Sequence, residues 1–161
     1  MHTDTPAAGL ALADLFRGRD LKGMNRAMSA RMAAAGLPYS EQRTMTYNSR
    51  LAQELAKWAE TRPGGDAIHM ALFRAYFVDN LNIGQIDVLV EIALAAGLDA
   101  GQARQVLERR TFRTQVDSDW QYSQATGISG VPAFLAKDQL VVGCQPYEVL
   151  EKFVLHLQAN Q

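Results

Sequence analysis

The feature that most constrains the fold is a change of hydrophobic period late in the chain, at residues 127–134 (GISGVPAF). Before this run, apolar residues recur at the three- and four-residue spacing of amphipathic helices. After it, two short apolar runs, 133–136 and 140–143, flank a polar turn and predict a β-hairpin. Pro146 then opens a closing amphipathic helix. The order therefore predicts many helices, followed by strand, strand and helix.

The part of the chain before this change contains many residues that typically begin or end helices. Gly36 and Gly97 are typical helix ends, whereas Asn48, Asp66 and Asp99 are typical residues at helix starts. Helices are predicted over about residues 9–17, 22–35, 48–60, 82–96, 100–109 and 111–126, and a further helix after Asp66 has an apolar face formed by residues between 68 and 77.

These elements predict a mainly α protein with a small β-hairpin, an α+β fold. We expect one domain over 1–161, with about 1–126 helical and about 127–161 forming the strand-strand-helix part. A hairpin alone is marginally stable in water, so its strands need a helix on one face and a partner on the open edge. We therefore expect a homodimer formed through the exposed edge of the hairpin.

Composition excludes several function classes. Hydrophobic residues make up 48% and charged residues 20%, as in soluble globular proteins, and the net charge of −1 argues against binding to nucleic acid. No apolar stretch reaches the length of about 18–20 residues that a membrane span needs. Residues 1–6 lack the features of a signal peptide. We expect a cytoplasmic protein with no nucleic-acid or membrane partner.

Few residues are candidates for chemistry. Cys144 is the one cysteine, so no internal disulfide can form and no Cys-x-x-C motif is present. It lies just before the closing helix, whose N-terminus favours a thiolate, so it is a candidate thiol; a small semi-buried residue is the alternative. The histidines, His2, His69 and His156, have no metal-ligand spacing. No glycine-rich nucleotide loop is present, and we predict neither a metal nor a cofactor.

Several segments resemble a known family. Residues 127–134 and 142–146 (VGCQP) resemble the C-terminal half of DsbA-family oxidoreductases of the FrnE type. Upstream, 47–52 (YNSRLA), 72–77 (LFRAYF) and 88–93 (VLVEIA) resemble the helical insertion of that family. The fold is shared with glutathione-dependent 2-hydroxychromene-2-carboxylate isomerases and kappa-class glutathione transferases.

The resemblance implies a split thioredoxin-like fold. In the family, a strand, the Cys-x-x-C helix and a second strand precede the helical insertion, and a cis-proline strand, a hairpin partner and a final helix follow it. We expect this sequence to correspond to the part after the second strand. The resemblance assigns substrate binding to Val131 and Pro132. It also places Asn48 near a glutathione pocket, although a capping role explains Asn48 as well.

Three functional hypotheses follow. The first is a DsbA-like thiol-disulfide oxidoreductase family protein without dithiol activity of its own and with no catalytic residue in this sequence. In it, Val131 and Pro132 bind a thiol-containing peptide or a glutathione-like ligand. The second is a non-catalytic helical module that associates with itself or with a separate thioredoxin half. The third is a glutathione-binding isomerase or transferase relative.

Overall fold

The structure, a computed structural model, describes residues 5–159. The elements are β1 (Leu10–Ala11), α1 (Leu12–Leu15), α2 (Leu21–Ala34), β2 (Met45–Thr46), α3 (Arg50–Ala59), α4 (Ala67–Phe77), α5 (Ile86–Ala95), α6 (Ala100–Arg109), α7 (Arg113–Ala125), β3 (Ala133–Ala136), β4 (Gln139–Val142) and α8 (Tyr147–Ala159). This confirms the predicted α+β class. Of the helices described, none has the length and apolar character needed to cross a membrane.

A second strand pair corrects the prediction for the start of the chain. The sequence predicts a helix over about residues 9–17; α1 confirms it for Leu12–Leu15 only, and Leu10 and Ala11 instead pair antiparallel with Thr46 and Met45. Gly9 makes this possible with a φ of +86°, a conformation that favours glycine. A Cβ on Gly9 would lie 2.6 Å from the Tyr47 ring, so the close approach of the two strands also requires glycine.

Two predicted helix starts are also shifted. Asn82 was expected to open a helix, but its side chain accepts a hydrogen bond from the Gly84 amide, forming a turn, and α5 begins at Ile86. Asn48 was expected to cap α3, but the N-cap is Ser49, and Asn48 Oδ1 accepts from the Arg50 amide at 2.9 Å. Asp99 caps α6 as predicted by accepting from the Gln102 amide.

The chain divides into two compact units, one ending at Val116 and the other beginning at Asp117. In the first, α5 packs against α6, and α3 packs against α4, α5 and α6. The largest fully buried apolar side chains of this helical unit are Trp58, Leu55, Ile68, Leu89, Leu107 and Val116. The single-domain organisation and the expected boundary near residue 126 stay predictions.

The second unit contains most of α7, the hairpin and α8. Strands β3 and β4 pair antiparallel, which confirms the predicted hairpin, but Gln139, which the sequence placed in the turn, lies in β4 opposite Ala136, and Ala133 lies opposite Val142. Between Asp117 and Ala159, all of which the structure describes, no residue is buried. The apolar side chains of this unit therefore do not form a closed core.

A buried carboxylate ties together two helices of the helical unit. The Glu54 side chain, on α3, is only 1% exposed. Its oxygens accept hydrogen bonds from Arg110 at 2.6 and 2.8 Å and from Arg50 at 3.0 Å. Arg110 ends α6 with a φ of +54°, so the end of α6 is attached to α3 by a charged pair. Burial alone would raise the pKa of Glu54, but the two arginines outweigh burial and lower this pKa.

We expect Arg110→Met to destabilise the protein, because it leaves a buried carboxylate with one fewer cationic partner. Removing one partner of a fully buried ion pair costs about 3–5 kcal/mol; since the Arg110 side chain is 39% exposed, we expect about 2–3 kcal/mol. Urea unfolding measures the change. Arg104→Met is the matched control because Arg104 pairs with the exposed Asp87, and it should have a much smaller effect. Equal losses in both variants would contradict a special role for Glu54.

The stabilisation by Glu54 should also depend on pH. Because the folded-state pKa of Glu54 is lowered, its contribution is fully present above the ordinary pKa of about 4.3 and is lost as the pH falls through the lower folded-state value. We compare the unfolding free energies of the wild type and Glu54→Gln across this range. The difference should be largest near neutrality and shrink in acid. A difference that does not vary with pH would show that Glu54 does not contribute through its charge.

Candidate functional site

The loop that enters the hairpin is set by the end of α7. Gly127 has a φ of +73°, and the Ile128 amide donates to the Ser123 carbonyl while the Gly127 amide donates to that of Gln124. This is the Schellman arrangement, which ends a helix and redirects the chain. The chain then passes through Val131, whose peptide bond to Pro132 is cis, into β3. Val131 is 84% exposed, so the residue before the proline is open to a ligand.

The hydrogen-bond pattern shows which backbone groups of this segment are available. The Pro132 carbonyl accepts from the Gly143 amide at 2.8 Å, which continues the β3–β4 pairing by one residue. Since backbone groups alternate in direction along a strand, Phe134 and Ala136 also face β4. Ala133 and Leu135 then direct their amides and carbonyls to the other side, and the backbone of Val131, which precedes β3, has no partner among the described residues. We call the side formed by these three residues the free edge.

The free edge has no partner in the described part of the chain. The sheet consists of β3 and β4 alone, and no described residue hydrogen-bonds the Val131 backbone. The opposite edge, along β4, differs because Gln145 Nε2 donates to the Val142 carbonyl at 2.8 Å. The hairpin therefore presents one partly covered edge and one with unpaired donors and acceptors.

Cys144 lies at the same end of the hairpin as the proline. Its neighbour Gly143 donates to the Pro132 carbonyl, and α8 begins three residues later, at Tyr147. The thiol is exposed, so the semi-buried alternative for Cys144 does not describe its environment. The structure thus brings Val131, Pro132 and Cys144 to one end of the second unit.

Asn48 belongs to the helical unit, and its side-chain amide is engaged within it. Oδ1 accepts from the Arg50 amide, and Nδ2 donates to the Thr5 carbonyl at 3.3 Å. Both polar atoms thus have partners inside the protein. The structure gives Asn48 a role in fixing the start of α3, and its assignment to a ligand pocket stays a prediction.

Next to Asn48 is a cavity that sequence reasoning did not identify. It has a volume of about 420 Å³, within the range typical of small-molecule sites. Its walls are largely apolar and aromatic: Tyr47, Leu72, Phe73, Tyr76, Phe77 and Ile83. The aromatic residues of α4 were the only sequence signal for this cavity. Their spacing does not identify it, because the same spacing is typical of a helix face packed in a core.

Polar contacts hold one wall of this cavity in place. Arg43 Nη1 donates to the Tyr76 hydroxyl at 2.7 Å, and the Thr46 hydroxyl lies 2.9 Å from it. The Arg43 guanidinium also lies 4.8 Å from the centre of the Tyr76 ring. His69 lines the cavity too, with Nε2 3.5 Å from a Glu60 carboxylate oxygen. The arrangement suits an apolar group with few polar contacts.

No metal-binding arrangement is found between residues 5 and 159, where no three His, Cys, Asp or Glu side chains cluster suitably. Of the histidines considered from the sequence, His69 lines the cavity and His156 is on α8, while His2 lies outside the described residues. The site residues that remain are therefore those of the hairpin entrance.

Comparisons with known proteins agree with this geometry. A crystal structure of the probable DsbA oxidoreductase SCO1869 from Streptomyces coelicolor superposes with a TM-score of 0.89 at 25% identity, covering 99% of this chain and 73% of that one. A candidate protein disulfide isomerase from Nitrosomonas europaea superposes with a TM-score of 0.67 at 16% identity, covering 86% of this chain and 74% of that one, which shows a shared fold.

Sequence comparison gives the family. The uncharacterized protein YwbO of Bacillus subtilis is 30% identical over 105 residues, which are 65% of this chain. This chain spans about half the length of that relative, 52%. The family model described as a DSBA-like thioredoxin domain matches residues 5–155, nearly all of the sequence. The chain belongs to the family of DsbA-like thioredoxin domains.

Proposed function

We propose that this chain provides the substrate-recognition part of a DsbA-like thiol-disulfide oxidoreductase of the FrnE type. In this proposal it binds an extended, cysteine-containing peptide through the backbone of Val131, beside Pro132, and does not itself exchange dithiols. The observation that carries the proposal is the exposed and unpaired backbone of Val131 at the start of the free edge.

Strand addition is the mode of binding that this backbone supports. An extended peptide can add to an open sheet edge, where main-chain hydrogen bonds provide affinity for many sequences. The Val131 amide and carbonyl have no partner among the described residues, so one peptide residue can pair with both. Pro132 has its carbonyl engaged by Gly143, which holds the loop against the hairpin. The peptide therefore meets a backbone that is already fixed.

The number of cysteines in the sequence explains why we propose that this chain does not itself exchange dithiols. A dithiol oxidoreductase closes and opens a disulfide between two cysteines whose Cα atoms lie about 4.4–6.8 Å apart. This sequence contains Cys144 alone, so it cannot form such a disulfide internally. Cys144 can at most exchange with another molecule. We place this function in the cytoplasm, where a single exposed thiol stays reduced.

The residues that line the cavity of the helical unit favour a peptide over glutathione as the ligand of this protein. Glutathione carries carboxylates, which proteins usually bind with arginine, lysine or helix N-termini. Among the described residues that line the cavity there is no lysine or arginine. The amide of the neighbouring Asn48 is also engaged inside the protein. No observation on this side of the molecule favours the glutathione hypothesis.

We expect this chain to be inactive in the reduction of insulin by dithiothreitol, because turnover needs a second thiol to resolve the mixed disulfide. The turbidity of precipitating insulin should rise no faster than without protein. Cys144→Ser should give the same trace, and a Cys-x-x-C thioredoxin serves as the active control. Turnover above the background in the wild type would refute the absence of dithiol activity.

We expect a short extended peptide with one cysteine to shift the amide resonances of Val131 and Ala133 in a two-dimensional NMR titration. Val131→Pro removes one edge amide and should weaken binding by about five- to tenfold, the effect of losing one backbone hydrogen bond of about 1 kcal/mol. Leu140→Pro removes an amide from the β4 edge and should bind like the wild type. Equal binding by Val131→Pro would show that the peptide binds elsewhere.

A further inference from the structure

We propose that the cavity of the helical unit binds a small neutral molecule that combines an aromatic ring with a carbonyl oxygen. In this proposal the oxygen accepts a hydrogen bond from the paired hydroxyls of Thr46 and Tyr76, which line the cavity. The proposal does not rest on the function proposed for the hairpin entrance. Three features of the cavity wall carry it: an unshared hydroxyl hydrogen, a set of packed aromatic rings and the lack of fixed charge.

The first feature is the number of hydroxyl hydrogens at the Thr46–Tyr76 pair. Arginine is only a donor, so the Tyr76 oxygen, 2.7 Å from Arg43 Nη1, is an acceptor. The hydroxyl oxygens of Thr46 and Tyr76 lie 2.9 Å apart, so one hydroxyl donates to the other. The pair thus has two hydrogens for one contact. The second hydrogen has no partner among the described residues and is available to an acceptor in the cavity.

Arg43 makes this hydroxyl pair a strong donor. The guanidinium lies 4.8 Å from the centre of the Tyr76 ring and 5.4 Å from that of Phe77, so the cation is held against α4. A hydroxyl that accepts from a cation donates more strongly to the next group, because linked hydrogen bonds polarise one another. The pair therefore favours a ligand with an acceptor oxygen over a purely apolar one.

The second feature is the aromatic part of the wall. Tyr76 packs edge to face against Phe77, with ring centroids 4.7 Å apart, and against Tyr47 at 6.5 Å. Phe73 stacks on Phe77 with centroids 6.1 Å apart. These contacts fix the orientation of the rings within the protein. Since aromatic rings gain energy from stacked and edge-to-face contacts beyond the area they bury, such a wall favours an aromatic ligand.

The third feature is the lack of fixed charge among the described residues that line the cavity. None of them is a lysine, arginine, aspartate or glutamate. His69 lines the cavity, but its Nε2 lies 3.5 Å from a Glu60 carboxylate oxygen, so its cationic form already has a counter-charge. Removing a carboxylate from water without a cationic partner is costly. A neutral carbonyl compound needs only the hydroxyl donor and is therefore favoured over an organic anion.

An NMR titration with three single-ring probes tests the class of ligand. Acetophenone has a ring and a carbonyl, ethylbenzene lacks the oxygen, and benzoate carries a charge. Acetophenone should shift the methyl resonances of Leu72 and Ile83, which line the cavity, and should bind more tightly than benzoate. Benzoate that binds as tightly as acetophenone would refute a neutral ligand. A failure of all three probes to shift these resonances would refute the site.

Removal of the hydroxyl pair tests the donor. The double variant Thr46→Val and Tyr76→Phe lacks both hydroxyls and has side chains of similar shape. Its affinity for acetophenone should fall about fivefold, the effect of one hydrogen bond, whereas its affinity for ethylbenzene should not fall. Tyr39→Phe is the matched control, because the Tyr39 hydroxyl donates to Asn25 Oδ1 and this residue does not line the cavity. It should bind both probes like the wild type.

A double variant that binds acetophenone like the wild type would show that the hydroxyl pair is not the donor. Circular dichroism establishes whether this variant folds. A second variant, Ala56→Leu, keeps the test valid if it does not, because it puts a larger side chain at a lining position. Ala56→Leu should weaken acetophenone and ethylbenzene together. Unchanged binding of both probes by a folded Ala56→Leu variant would overturn the site.

The cysteine-containing peptide distinguishes a small-molecule site from a pocket for a peptide side chain. The peptide should leave the Leu72 and Ile83 resonances in place and should not change the affinity for acetophenone. A peptide that shifts these resonances and displaces acetophenone would overturn the small-molecule assignment. A peptide that does not bind at all, while acetophenone does, would refute the proposed function and leave the cavity site supported. The two failures are therefore distinguishable.

Discussion

Backbone hydrogen bonding at the edge of β3 is the constraint on which the behaviour of the hairpin depends. A strand with unpaired amides and carbonyls is a template for another strand, and proteins usually pair, cover or charge such an edge. Here one side of β3 is paired with β4, the other side has no partner among residues 5–159, and residues 131–136 carry no charged side chain. The proposed recognition of an extended peptide is a consequence of these unpaired groups.

The two units differ in how far their apolar and charged side chains are buried. The helical unit has a closed apolar core around Trp58 and Leu55, and its one fully buried charge, among the described residues, has two arginine partners. Arg110 even holds a left-handed conformation at the end of α6, which is uncommon for a residue with a side chain. The second unit has no buried residue between Asp117 and Ala159.

The sequence predicts those parts of the fold whose signals are local. Helices α2 and α6 follow from apolar spacing and from capping residues such as Asp99, and β3 and β4 from two apolar runs around a turn. The pairing of Leu10 with Thr46 was missed because two-residue strands have no period and their contact is distant in sequence. The cavity was missed for another reason. Tyr76 and Phe77 line it, but aromatic residues have the same spacing on a helix face that packs in a core, so the spacing does not predict a cavity.

In the proposed function, the hairpin entrance binds a peptide without transferring electrons. The exposed Cys144 side chain can exchange once with a peptide disulfide, forming one mixed disulfide and releasing one thiol, but the mixed disulfide is resolved only when another thiol attacks it. The Val131 backbone, by contrast, needs no thiol to bind an extended chain. Because binding uses main-chain groups and exchange uses a cysteine pair, the first function can persist in a chain that holds Cys144 alone. The free edge has the main-chain groups that binding needs, whereas dithiol exchange needs a second cysteine that this sequence does not contain.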